Sequence, residues 1–317
     1  MKKIYIVIIS ILMITTLTAC KPGSVTDENV IYVTNYPVQY LVQNIAGDTV
    51  TVLRVPGSSN GGHSDELYWT GKEIIEMLKS YLLFYVDGGF DTYIPNAVNS
   101  VFSDGDVKLI NLSEYITYNQ VCYSHNHEDD ETSMCEENLL SEDPHFWLDP
   151  QKMLDAAEVV KDQLIVMYPD NSELYNNNYV VLEAALEKLY DDFDESLSVA
   201  TKPIITTNML FNYWHSTFGI EILSLSTDAH NSEVVPGDVI EYVTDAVSHE
   251  IHYVLYEFNS NSPTGDLVLK QLLLQDPTAQ KAYIYSLANL TQEQKDNGAT
   301  YLTLMYENLE VLENAIK

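Results

Sequence analysis

From Asp170 to Ser198 the chain runs without a glycine or a proline. Through this stretch Tyr175, Tyr179, Leu182, Leu186, Leu189, Phe193 and Leu197 recur at spacings of four and three. That period lays one apolar stripe along an α-helix. Asp170, with Glu173 three residues on, has the form of a capping box at its start. At 1.5 Å per residue the rod is roughly 40 Å long. A rod of that length suits either a coiled-coil pairing or a helix that spans two lobes.

The sequence on both sides alternates short β-rich runs with helical segments. Before the rod, strands are expected at Val30 to Thr34, Thr49 to Val55, Tyr81 to Val86 and Val107 to Asn111, with helices over Pro37 to Gly47 and Gly71 to Lys79. Asp149-Pro150 reads as an N-cap followed by proline at the first helical position, and the helix it opens runs to about Met167, where Tyr168-Pro169 breaks it. After the rod the alternation resumes. Strands are expected at Pro203 to Thr206, Glu221 to Leu225, His252 to Tyr256 and Ala282 to Tyr285. Helices are expected at Met209 to Thr217, Pro236 to Ser248 and Pro263 to Leu274, with a last one from about Thr291 toward Ile316. Strands alternating with helices imply parallel sheets. The fold class is therefore α/β: two α/β lobes with mostly parallel sheets, bridged by one long rigid α-helix, with ligands expected at strand carboxyl ends between the lobes. The divisions are 1–20 as a leader, 21–29 as a tether, 30–169 as the amino-terminal lobe, 170–199 as the linking helix and 200–317 as the carboxyl-terminal lobe.

The leader has a purpose of its own. Lys2 and Lys3 precede an uncharged apolar stretch from Ile4 to Thr16, too short for a stable transmembrane helix and suited to a signal h-region. Leu17-Thr18-Ala19-Cys20 then has the small-residue-then-cysteine form of bacterial lipoprotein signals, so Cys20 is expected to carry the lipid that anchors the chain outside the cytoplasm. Without the two leader lysines, 13 basic residues stand against 47 acidic ones, a formal charge of −34. Such a surface repels nucleic acid and anionic lipid.

Among the eight histidines two stand out by position. His63 follows Pro56-Gly57-Ser58-Ser59-Asn60-Gly61-Gly62, a loop between a strand and a helix. His145 lies in Asp143-Pro144-His145-Phe146-Trp147-Leu148-Asp149-Pro150, also at a loop-to-helix junction, where an imidazole can face a cleft. In these segments the chain resembles the zinc- and manganese-binding lipoproteins of bacterial ABC importers. The Asp143 to Pro150 stretch is close to a signature of that family. Tyr36-Pro37 before a helix ending at Ala46-Gly47-Asp48, the His63 loop, the Phe84-Tyr85-Val86-Asp87-Gly88-Gly89 turn and the long central helix fit as well.

The resemblance implies a metal clamped between the lobes, with His63 and His145 as the two amino-lobe ligands. Neutral imidazoles suit zinc best, and manganese is the other family cargo. In the carboxyl-terminal lobe the pattern departs: Asn208 stands where the family places a His or Glu, and Ser286-Leu287 lies near the place of its acidic ligand. An amide oxygen and a hydroxyl are weaker donors, and His215, His230 and Glu257 are the residues available to complete the set. Glu257 itself reads as a loop-capping acid. Cys122 and Cys135 bracket an acidic segment that contains His125 and His127. It is either a disulfide-closed loop, a two-thiolate, two-imidazole metal site or a plain acidic loop; outside the cytoplasm a disulfide is the simplest of these.

Two functions are compatible with these residues. One is a monomeric solute-binding lipoprotein that delivers a divalent metal to an ABC permease and performs no chemistry. The other is an adhesin or accessory protein that keeps the fold with weak or no metal binding. A zinc hydrolase is disfavoured, because the chain has neither H-E-x-x-H nor G-x-S-x-G.

Overall fold

The structure, a computed structural model, describes residues 27–58, 67–122, 140–226 and 236–317. The first sheet is built from β1 (Asp27–Val33), β2 (Thr51–Arg54), β3 (Ser80–Tyr85) and β4 (Lys108–Asn111), in the order β2-β1-β3-β4 with every pair parallel. The helices between these strands start where their side chains provide caps. Asn35 accepts from Val38 N at 3.0 Å to open α1 (Tyr36–Ala46), and Thr70 with Glu73 forms a reciprocal capping box for α2 (Gly71–Lys79). These bonds satisfy donors that a helix start otherwise leaves open. A short α3 (Tyr93–Ala97) follows β3.

An element that sequence periodicity did not reveal comes next. β5 (Asn119–Cys122) pairs antiparallel with β6 (Leu140–Asp143). Both strands are short, and most of their residues are polar, so no apolar alternation marks them. Asp149 then caps α4 (Pro150–Met167) by accepting from Gln151 N at 2.8 Å, with proline at the first helical position as expected.

The central rod is α5 (Ser172–Leu197), 26 residues long. Its start differs from the expected capping box. Pro169–Asn171 forms a 3-10 turn, and Asn171 at the N-cap makes no side-chain cap bond. Tyr175, Leu182, Leu186, Leu189, Phe193 and Leu197 are buried along one face. The early part of that face packs on α1 and α4, and the later part on α6 (Asn212–Phe218) and α10 (Tyr301–Ala315). The rod therefore spans two lobes, and no coiled-coil partner is needed to cover its stripe.

The second sheet, in the order β10-β9-β7-β8, is also wholly parallel: β7 (Ile204–Thr206), β8 (Ile222–Ser224), β9 (Tyr253–Glu257) and β10 (Gln280–Ile284). α7 (Pro236–Ser248) and α8 (Pro263–Leu272) cover one face. The expected single last helix is two. α9 (Gln292–Asp296) and α10 each begin at a threonine capping box, Thr291 and Thr300, and Gly298 turns the chain between them at φ 71°. That left-handed conformation is cheap only for glycine.

One apolar cluster runs through both lobes, joining Val33 and Phe84 of the first sheet to Ile204 and Leu255 of the second by way of the α5 face. Hydrogen bonds cross the same boundary. Trp147 Nε1 donates to Ser286 O at 2.7 Å, Tyr301 OH to Trp147 O at 2.7 Å, Trp214 Nε1 to Leu148 O at 3.0 Å and Tyr36 N to Ala288 O at 3.0 Å. The carboxyl ends of the strands in the two sheets thus meet across one cleft. No described helix is long and apolar enough to cross a membrane.

Candidate metal site

His145 sits in the turn between β6 and α4 and is only 4% exposed. Gly88, in the left-handed turn after β3, makes room for that turn. A Cβ at Gly88 would come within 3.0 Å of the Tyr118 ring and 3.4 Å of Pro144 Cβ. The edges of Phe90 and Trp147 pack against the imidazole, at centroid distances of 6.3 and 5.3 Å. Asp143 Oδ1 lies 2.7 Å from His145 Nδ1 and also accepts the His145 backbone N–H at 3.0 Å. A carboxylate can only accept, so Nδ1 carries the proton and Nε2 becomes the nitrogen that would meet a metal. A carboxylate behind a ligating histidine is the usual support of such a ligand, fixing its tautomer and raising its basicity.

From the other lobe comes Asn208, just past β7. Its Nδ2 donates to Glu257 Oε2 at 2.9 Å, and Glu257 ends the neighbouring strand β9. The same reasoning orients the amide: its nitrogen must face the carboxylate, so Oδ1 points the other way, and that oxygen is buried with no hydrogen-bond partner. Glu257 does not serve only as a loop-capping acid; it presents the Asn208 oxygen. This support was missed from sequence because the residues lie 49 apart and meet only through the pairing of β7 with β9. The lobes are joined here as well. Tyr213, on the helix that Asn208 leads into, donates to Asp143 O at 2.9 Å, and Thr217 donates to Asp149 Oδ2 at 2.8 Å.

Other candidates fall elsewhere. His215 is exposed, with Nδ1 on Ile220 O at 2.8 Å at the end of α6. His249 is exposed, and His252 binds Asp276 at 2.6 Å just before β9 begins, at the amino-terminal end of that strand and away from the strand carboxyl ends. Ser286 lies at the cleft through its carbonyl, which Trp147 holds. Cys20, His63, His125, His127, Cys135 and His230 lie outside the described residues, and of Cys122 only the backbone is described. Among the described residues no group of three or more His, Cys, Asp or Glu side chains is gathered to hold a metal ion. What the described chain supplies is one supported imidazole and one supported amide oxygen from opposite lobes.

Behind the site Asp91 is fully buried. It accepts from Val86 N at 2.9 Å and Asp87 N at 2.7 Å, but burial outweighs these bonds and raises its pKa to about 6.

Two parallel-sheet lobes joined by one rigid helix, with strand ends facing a common cleft, define the class of two-lobed solute-binding proteins. Within that class the chain belongs to the ZnuA family, described as the zinc-uptake complex component A, periplasmic, which it matches over residues 31–315. It is 26% identical to the zinc-binding lipoprotein AdcA of Streptococcus pneumoniae strain R6, over 98% of this chain and 60% of that protein. It is 24% identical to the high-affinity zinc uptake system protein ZnuA of Bacillus subtilis, over 92% of this chain and 88% of that one. The chain thus spans well under two thirds of the AdcA relatives. In structure it is similar to the Zn(II)-bound ZnuA-like domain of S. pneumoniae AdcA, with a TM-score of 0.70 and 22% identity over 91% of this chain and 99% of that domain. The laminin-binding protein Lmb of Streptococcus agalactiae, described as having adhesin and metal-transporting activity, gives 0.72 at 17% identity over 92% of this chain and all of that one.

Proposed function

We propose that this chain is an extracytoplasmic solute-binding lipoprotein, anchored through Cys20, that captures zinc or, second, manganese between its lobes and passes it to the permease of an ABC importer. It acts as a monomer and catalyses no reaction. The observation that carries this reading is the pair of supported donors in the cleft. Asp143 turns His145 Nε2 into the ligand nitrogen, and Glu257 turns Asn208 Oδ1 into a buried oxygen without a partner. An unpartnered buried acceptor is costly, by about 1–3 kcal/mol, and a bound cation would remove that cost. His63 is the proposed third donor. The leader, tether, lobes and linking helix keep the divisions at 1–20, 21–29, 30–169, 170–199 and 200–317, and Cys122 with Cys135 is proposed to close the acidic loop as a disulfide.

The test is calorimetric titration of the chain from Lys21 onward with zinc and with manganese. Sub-micromolar zinc binding that is lost in both His63→Ala and His145→Ala is the expected outcome. A folded wild-type chain that binds neither metal would overturn the reading. Such a result would favour the adhesin or accessory role, which Asn208, a weaker ligand than histidine or glutamate, already supports.

A further inference from the structure

All the direct donors assigned to the metal are neutral: the imidazoles of His63 and His145 and the amide oxygen of Asn208. Among the described residues, carboxylates stand behind these donors, Asp143 on His145 and Glu257 on Asn208. Beside this set the amino-terminal lobe brings a half-buried cation. Arg54 ends β2, and its Nη2 donates to Thr34 O at 2.7 Å, to Ser58 O at 3.2 Å and, across the cleft, to Asn289 Oδ1 at 2.7 Å. Every one of those acceptors is neutral. Burial lowers the guanidinium pKa to about 10, which is the behaviour of a desolvated cation short of counter-charge.

The remaining groups here are donors that lack acceptors. Arg54 Nε is buried with no partner. Asn35 is fully buried; its Oδ1 is committed to Val38 N, and its Nδ2 has no partner. Ser58, 8% exposed, has its carbonyl on Arg54 and its hydroxyl unpartnered. A guanidinium and an amide nitrogen only donate, and a hydroxyl donates readily. Buried polar groups in folded proteins are nearly always satisfied, and a partly desolvated cation with a buried, unpartnered N–H favours an anion. All three residues stand at the carboxyl ends of β1 and β2, on the cleft side. The carboxyl-lobe segment that Arg54 holds at Asn289 is held at Ser286 by Trp147, whose ring packs on His145. Tyr36, next to Asn35, donates its N–H to Ala288 O at 3.0 Å, so residues flanking the donor group and Trp147 hold the same Ser286 to Asn289 segment.

We propose that the cleft takes its metal together with a small carboxylate-type anion, held by Arg54 Nε, Asn35 Nδ2 and Ser58 Oγ, which lends the metal the anionic oxygen that Asn208 cannot. This inference rests on the metal-binding reading of the cleft and adds a second ligand to it. The anion meets both needs at once: it neutralises the half-buried guanidinium, and it converts an all-neutral donor set into one that holds a dication well.

The demetallated chain from Lys21 onward is titrated with zinc by calorimetry in a chloride buffer, then in the same buffer with millimolar acetate or millimolar bicarbonate. Zinc affinity is expected to rise about tenfold or more with at least one of the two anions, and the responsive one names the class. Arg54→Gln is expected to lose that gain. Arg54→Lys, which keeps the charge, retains part of it. Asn35→Asp preserves the α1 cap but replaces a donor with an acceptor, so it also loses the gain. A merely structural role for these residues would change affinity equally in all buffers. Equal wild-type affinity with and without anion overturns the proposal while leaving the metal reading intact, as does a gain that survives in both Arg54→Gln and Asn35→Asp. Absence of zinc binding in every buffer overturns the metal reading and this proposal with it.

Discussion

At the scale of single residues, the proposed site depends on what stands behind each proposed donor. Asp143 and Glu257 each use a carboxylate oxygen to fix the orientation of a neutral side chain. Asp143→Asn is expected to weaken zinc binding by about 10- to 100-fold, the usual cost of losing such a support. Asn208→His places an imidazole where Glu257 can accept its Nδ1 proton, and it is expected to tighten zinc binding by on the order of tenfold. Both changes are read by calorimetry against wild type, and an unchanged affinity in either would show that the supported donors do not touch the metal. Asp91 carries a pH dependence. Its carboxyl pKa is raised from the ordinary value to about 6 by burial, so the folded chain holds this proton more tightly than the unfolded one. Its stabilising contribution is present in full below about pH 4 and is lost as pH rises through 6, worth roughly 3 kcal/mol for a shift of about two units. The carboxyl carbon of Asp91, followed by NMR, is expected to titrate near pH 6; titration below pH 4 would refute this.

At the scale of elements, α5 had the clearest sequence signal and the structure agrees with its apolar face, residue for residue, from Tyr175 to Leu197 except at half-exposed Tyr179. Phe193→Ala is expected to cost about 3–5 kcal/mol in chemical denaturation, because the side chain is fully buried. Val181, 71% exposed on the opposite face, can be replaced by alanine within about 0.5 kcal/mol. The division between α9 and α10 makes a second prediction. Gly298 has φ 71° and open space where a Cβ would stand, so Gly298→Ala costs only backbone strain, about 1–2 kcal/mol. The stretch from Gln292 to Gly298 holds no apolar residue, so periodicity neither joins it to α10 nor separates it, and one glycine with two threonine caps is a weak local signal of the break.

At the scale of the whole molecule, the lobes share a core along α5 and are cross-bonded at Trp147, Trp214, Tyr213 and Tyr301. Calorimetric unfolding is therefore expected to be a single transition, and two resolved transitions would contradict the shared core. Trp147→Phe keeps most of the packing but removes the donor to Ser286 O, and is expected to lower stability by about 1–3 kcal/mol. So rigid a frame also predicts small lobe movements on metal binding. The radius of gyration of metal-free and metal-loaded chains in X-ray scattering should differ by less than about 1 Å.

The alternation of strands and helices, the central rod and the Asp143 to Pro150 turn were all legible in the sequence, because each depends on residues close together along the chain. Periodicity and caps are local; the loop-to-helix junction marked His145, and only the family resemblance marked Asn208, each as a single position. What they could not show is which partner each residue meets. The Asp143 carboxylate was within local reach of His145, but Glu257 reaches Asn208 only because β7 and β9 pair in one register. Arg54 read as an ordinary strand residue, yet tertiary packing half-buries it and sets its guanidinium on Asn289, 235 residues away. The local sequence thus determined the alternation that builds the lobes, and the family resemblance pointed to the proposed donors. Only the packing of the two lobes decided how those residues are oriented, which polar atoms are left in need of a partner and where a half-buried cation stands.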